Sequence, residues 1–169
     1  DSYKTVLPRQ TDLLADYVSL IASCRPAEDV NILVPDAVDA YWNVPLRPNE
    51  RRFFCGQLKS TDGKTRYLVY IMTAQGSRGA PLSWTALFGL SCRLVSSVLR
   101  TPIAPDSHRM QVYVDDPCIA LRGTDEVIHK QVARAILTWM VLGVVLASLK
   151  VSLAAPWNGL ERRPKPERP

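Results

Sequence analysis

Two adjacent carboxylates separate two short apolar runs in Gln111-Val-Tyr-Val-Asp-Asp-Pro-Cys-Ile-Ala-Leu121. Val112 and Val114 alternate with Gln111 and Tyr113, and Cys118 to Leu121 forms a second apolar run, so the stretch reads as a β-hairpin. Pro117 has no N–H to give a strand ladder, which predicts a break at Asp115-Asp116-Pro117 with the acids held at a rigid turn. Neighbouring carboxylates repel unless positive charge lies beside them. A divalent cation meets that need, since magnesium takes oxygen ligands and uses one or two carboxylates together with substrate phosphates. An Asp-Asp turn on a solvated loop accounts for the same residues without a metal. The hairpin therefore needs partners elsewhere in the chain.

The 169 residues, 47% of them apolar, suffice for one domain with a buried core and exclude a disordered chain. A net charge of +5, from 21 Lys and Arg against 16 Asp and Glu, is compatible with a polyanionic partner without identifying one. Cys24, Cys55, Cys92 and Cys118 form no Cys-x-x-Cys pair and read as buried, reduced thiols. His108 and His129 lack a second ligand at helical spacing, which argues against a histidine metal site. The longest apolar region, Ala135 to Leu149, is interrupted by Thr138, Gly143 and Ser148 and is too short to span a bilayer, so no membrane partner is expected. The start without Met and the end in Arg-Arg-Pro-Lys-Pro-Glu-Arg-Pro suggest an excerpt of a longer chain.

In chain order, Thr11 to Ser23 carries Leu13, Leu14, Tyr17, Val18, Leu20 and Ile21 near one helical face, with Thr11 or Asp12 as its cap. Ile32-Leu33-Val34 is a buried-strand signal leading into Asp36 and Asp39, either of which suits a cap on a short helical turn. Beside Asp115 and Asp116, Asp36 would complete a three-carboxylate cluster able to hold two magnesium ions for in-line phosphoryl or nucleotidyl transfer. Asn49 to Leu58 and Thr65 to Ala74 read as a second hairpin turning at Thr61-Asp-Gly-Lys. Arg51, Arg52, Lys59, Lys64 and Arg66 load it with positive charge, either as a solvated face or as contacts to a phosphate backbone.

Gln75-Gly-Ser-Arg-Gly-Ala-Pro81 is a turn or a platform for a phosphate or base pair, and it departs from a Walker loop. Pro81 opens a helix through Leu99 with apolar residues on most faces, predicting burial against the sheet. A further helix opens at Thr124, with Val127, Val132, Ile136 and Met140 at helical spacing, and stops at Gly143. Val144-Val-Leu and Leu149-Lys-Val-Ser-Leu predict a final strand or strand pair in which Lys150 snorkels.

Taken together, these segments resemble the palm of a reverse transcriptase, the RNA-directed DNA polymerase of retroviruses and retrotransposons. Asp36-Ala-Val-Asp-Ala-Tyr-Trp-Asn-Val-Pro-Leu46 resembles its first carboxylate motif, and Gln75 to Pro81 its Gly-rich motif. Tyr113-Val-Asp-Asp116 matches its hallmark, Leu142 to Lys150 is similar to its lysine motif, and Trp157-Asn-Gly-Leu160 to the strand leading towards the thumb. The likeness covers roughly residues 30 to 160, in family order. It implies an α+β fold, a polymerase palm whose antiparallel sheet is backed by helices, with part of the fingers and no thumb. Residues 1–30 would be an N-terminal helical segment, 31–160 the palm, and 161–169 a Pro/Arg-rich tail or linker.

The resemblance implies the following roles. Asp36, Asp115 and Asp116, with the backbone carbonyl of Ala37, would hold two Mg2+ ions, which Mn2+ could replace. Tyr41 would stack beneath the sugar and exclude a 2′-hydroxyl, Gln75 and Gly76 would face the incoming nucleotide, and Lys150 would protonate the pyrophosphate. Arg78 would lie near the template and Tyr113 at the primer end, with Arg51 and Arg52 among the template or primer contacts. The partners implied are an RNA template, a DNA or RNA primer and deoxynucleoside triphosphates, with ribonuclease H or integrase domains on a parent polyprotein inside the cell. The basic fingers hairpin that grips the triphosphate in this family has no counterpart upstream of Asp36. A non-catalytic polymerase-like module that binds RNA or an RNA–DNA hybrid is the alternative. An RNA-dependent RNA polymerase shares the palm, but its first motif usually bears a polar sugar reader where this chain has Tyr41.

Overall fold

The apolar runs flanking the paired acids do form a hairpin, and it supplies two strands of the central sheet. The computed structural model describes residues 7–147. Helix α1 (Gln10–Ala22) precedes strand β1 (Asp29–Leu33), and β2 (Cys55–Lys59) and β3 (Thr65–Val69) follow as a pair. Helix α2 (Ala80–Leu99) leads to β4 (His108–Tyr113) and β5 (Asp116–Gly123), and α3 (Asp125–Val141) comes last. The arrangement is mixed α+β, with one three-stranded antiparallel sheet in the order β1-β5-β4 and one two-stranded sheet of β2 and β3.

Strand alternation divides the core in two. Leu33, Ile119 and Leu121 point to the side of α2 and α3, where Trp84, Phe88 and Trp139 cover them. The Trp84 and Phe88 rings stack with centroids 4.9 Å apart, and Phe88 and Trp139 follow at 6.4 Å. Val30 and Ala120 point the other way, against Leu20 of α1. Gly123 allows the tight step from β5 into α3, because a Cβ there would come within 2.7 Å of Val127 Cγ1.

Several local expectations shift. The hairpin loop is Val114-Asp115, while Asp116 and Pro117 already belong to β5, paired with Tyr113 and Val112. In a two-residue hairpin the flanking pair exchanges both ladder bonds and the next pair none, so Pro117 sits where β4 asks it for no donor. Its nitrogen side faces β1, whose pairing ended at Leu33↔Ile119, so the proline interrupts nothing. The cap of α1 is Arg9 rather than Thr11 or Asp12, and Asp12 acts from the third helical position by accepting the Arg9 N–H at 2.8 Å.

The stretch from Asn49 is not strand until Cys55. Pro48 and Asn49 instead start a run of three-residue turn bonds, Glu50 N–H to Arg47, Phe53 to Glu50 and Phe54 to Arg51, with Arg51–Phe53 in a 3-10 turn. Strand β3 likewise stops at Val69, short of Ala74. Helix α2 buries only the face bearing Trp84, Phe88, Cys92, Val95 and Leu99 and leaves Leu82, Leu87, Leu90 and Leu94 in solvent, because it is an outer layer with the sheet and α3 on one side alone. It is this helix, rather than Ala135 to Leu149, that has the length and apolarity of a bilayer span, although its packed face is that of a core helix. In α3 the buried residues are Ile128, Gln131, Ala135 and Trp139, whereas Val127 and Met140 lie exposed one step off the contact face. The four cysteines are free, but Cys55 is exposed, since β2 has nothing stacked on it.

Candidate active site

The turn between Tyr113 and Asp116 is narrow, and the chain reaches it at a conformational cost. Val114 has φ 56°, the left-handed region that a β-branched side chain disfavours. Val114 also packs against the main core, which fixes one end of the loop while Asp115 stays half-buried and Asp116 exposed. Tyr113 and Asp116, being a directly paired couple, share one face of the sheet, the face that α1 covers.

Strand register brings the first acid motif to the same place. The antiparallel pairing of β1 and β5 ends at Leu33↔Ile119, so Asp36, three residues after Leu33, and Asp116, three residues before Ile119, lie beyond the same end of that pairing. Behind Asp36 the chain is held by a short pairing with the segment that follows α3. Val38 donates to the Val145 carbonyl at 2.8 Å, Ala147 donates to the Asp36 carbonyl at 2.8 Å, and Ala37 bridges Leu146. These bonds use the carbonyl of Asp36, not that of Ala37. Lys150 lies outside the described residues; Ala147, three residues before it, is anchored to the backbone of Asp36.

Asp39, with φ 52°, starts the 3-10 turn Ala40–Asn43 that carries Tyr41. Tyr41 packs partly buried against the main core. Val44 to Leu46 then pair with Ile71 to Thr73 through Leu46 N–H to the Ile71 carbonyl at 2.9 Å and Thr73 N–H to the Val44 carbonyl at 2.7 Å. That pairing returns the chain past Tyr41 just before the Gly-rich motif, in which Gln75, Gly76 and Arg78 are all exposed and Gly76 has φ 89°. Arg51 and Arg52 stand apart, on the approach to β2, with the Arg52 guanidinium 4.7 Å from the centroid of the Phe53 ring.

A hollow of about 490 Å3 opens on the α1 face of the hairpin, lined in part by Arg9, Gln10, Val34, Gln111, Tyr113 and Asp116. Gln111 is fixed by donating to Asp16 Oδ2 at 2.6 Å, across 95 positions of sequence. Arg9 and Gln10 were missed in the sequence because they enter from a different helix, with no local pattern to mark them; only their place at the start of α1 brings them to the hollow that Asp116 lines. Among the described residues, no group of three or more His, Cys, Asp and Glu side chains is gathered so as to hold a metal ion. The donor chemistry of Asp36, Asp115 and Asp116 suits magnesium, and the fold delivers Asp36 and Asp116 to one end of one sheet, but the three side chains stand ungathered.

Comparison with protein-family models and with curated proteins finds no match to this chain.

Proposed function

We propose that the chain is the palm of a reverse-transcriptase-like RNA-directed DNA polymerase, adding deoxynucleotides to a primer 3′-hydroxyl. The observation that carries this reading is that β1 runs out towards Asp36 at the same end of the sheet where β5 begins at Asp116, beside the Tyr113–Asp116 turn. Asp36, Asp115 and Asp116 would hold magnesium with the Ala37 carbonyl, and the bound metal supplies charge stabilisation at the phosphate undergoing transfer. Tyr41 reads the sugar and the Gln75–Gly76 backbone bounds the nucleotide, the two being linked through the Val44–Leu46 pairing. Tyr113 and Arg9 line the hollow that would admit the primer end.

The decisive measurement is primer extension by the full chain on an RNA template with magnesium and deoxynucleotides, beside the double variant Asp115→Asn, Asp116→Asn. Losing several kcal/mol of metal-based stabilisation predicts a fall of about a thousandfold. Extension that survives the double variant overturns the assignment of the carboxylates. The ungathered acids and the exposed, basic β2–β3 hairpin favour a second reading, a polymerase-like module that binds an RNA–DNA hybrid without chemistry. Absence of extension together with hybrid binding that is salt-sensitive and indifferent to the double variant selects that reading.

A further inference from the structure

The end of the sheet remote from the paired acids carries a second concentration of charge. By strand rise, the six residues of β4 put His108 about 16–17 Å from Tyr113. There the connection Thr101 to Ser107 crosses the surface between two hollows, one of about 430 Å3 and one of about 370 Å3. Arg93 of α2 and Arg100, the residue that follows its last turn, line the first hollow, and Arg25 and Arg122 the second. Arg109 lines both.

These guanidinium groups are not all committed to carboxylates. Arg109 meets Asp106 at 3.4 Å and Asp16 at 4.0 Å, and Arg122 meets Glu28 at 3.6 Å. Among the described residues, Arg25, Arg93 and Arg100 form no ion pair, which leaves a surplus of positive charge on both sides of the connection. At the base of the first hollow His108 is 5% exposed; its Nε2 meets Ser96 Oγ at 2.7 Å while its Nδ1 has no hydrogen-bond partner. Arg93 and Arg100, without a carboxylate partner among the described residues, edge the hollow that His108 lines, and such guanidinium groups are a place for an anionic oxygen.

The ridge between the hollows is held in place. The Ser107 carbonyl accepts the Arg122 N–H at 2.8 Å, and Ser107 Oγ accepts from Gln131 Nε2 at 3.0 Å in the interior. Pro102 and Pro105 restrict the backbone between, and Ile103 stands 96% exposed at the crest. Two successive hollows astride an apolar crest fit a chain of phosphates with a base or sugar on the crest better than a single small anion.

We propose that this surface binds backbone phosphates of a single nucleic-acid strand, at a site separate from the carboxylate end of the sheet. The site stands on its own charges and geometry, whether or not the chain polymerises. Its test uses the full chain, a short labelled oligouridine and inorganic phosphate, with two readouts. The first is affinity as a function of salt, for the chain and for the variant Arg93→Gln, Arg100→Gln, both of whose side chains are exposed and outside the core. Losing two phosphate contacts should flatten the slope of log K against log salt by about 1.4. The second is the imidazole resonances of His108, with His129, the only other histidine, as reference.

Movement of the His108 signals with oligouridine, lost in the arginine variant, supports the site. Movement with inorganic phosphate alone keeps the phosphate chemistry and overturns the strand as occupant. If neither ligand moves His108 and the salt slope is unchanged by the variant, the proposal falls.

Discussion

The two antiparallel sheets carry similar proportions of apolar side chain and treat it in opposite ways. In β5 Ile119, Ala120 and Leu121 are fully buried, whereas in β2 and β3 no residue is buried, and Tyr67 is 73% exposed. The central sheet has helices on both faces, with α1 on one side and α2 and α3 on the other. Among the described residues, the β2–β3 hairpin has its own ladder, the Val44–Leu46 pairing at its base and a tilted contact between the Trp42 and Tyr70 rings at 5.7 Å. An isolated two-stranded hairpin is marginal in water, so its apolar and basic side chains await a surface that the described residues do not provide. Stability therefore resides where the acids are mounted, and it is lowest in the β2–β3 hairpin.

The sharpest way to break that contrast is Trp139→Ala. Trp139 is wholly buried and ends the ring series that joins α2 to α3 over the sheet. Truncation should cost about 3–5 kcal/mol, read from the denaturation midpoint, because the cavity lies between two helices that already touch and cannot close freely. A cost below about 1 kcal/mol would mean that the helical layer does not hold the sheet as described. Tyr67→Ala probes the opposite region. Its ring touches no core, so stability should hold within about 0.5 kcal/mol, while affinity for single-stranded RNA should fall by about 1–3 kcal/mol if the ring stacks on a base. Denaturant melts and fluorescence anisotropy on the same variant separate the two effects; a large loss of stability with unchanged affinity would reverse the roles assigned to the sheets.

Legibility in the sequence followed the same division. The strand at Ile32-Leu33, the hairpin around the acids and the helices from Gln10, Ala80 and Asp125 were readable because their apolar spacing answers to burial on a definite face. The β2–β3 hairpin was readable from its Asp62-Gly63 turn but not in its ends, since no burial pattern marks where an uncovered strand stops. The one-step error in the face of α3 arose because Val127 and Met140 are as apolar as Ile128 and Trp139, and only the position of the sheet chooses between them. At the acid end, Asp36 and Asp116 were nameable from local motifs, whereas the hollow that Asp116 shares with Arg9 depends on contacts between distant segments, such as Gln111 to Asp16. The arginine hollows at the other end were unreadable for the same reason, since their residues come from α2, β4, β5 and the loop after α1.

The smallest expected effect concerns pH and sharpens the comparison, because the only buried histidine belongs to the central sheet and the β2–β3 hairpin has none. Loss of water around the His108 ring is the main force lowering its pKa from 6.5, with repulsion from Arg100 and Arg109 adding to it and Asp106 opposing. The unfolded chain takes up this proton near 6.5, whereas the folded chain resists it to lower pH. The stability that His108 contributes is therefore complete above 6.5 and is lost as pH falls from there through the folded value. Thermal melts at about pH 7.5 and about pH 5.5 bracket the upper part of this window while the ordinary carboxylates remain ionised. The melting temperature should drop at the lower pH, and His108→Gln should flatten the difference even if it lowers both values. An undiminished difference in that variant would assign the acid sensitivity to another group, and a rise in melting temperature on acidification would contradict a neutral His108 buried against the arginines.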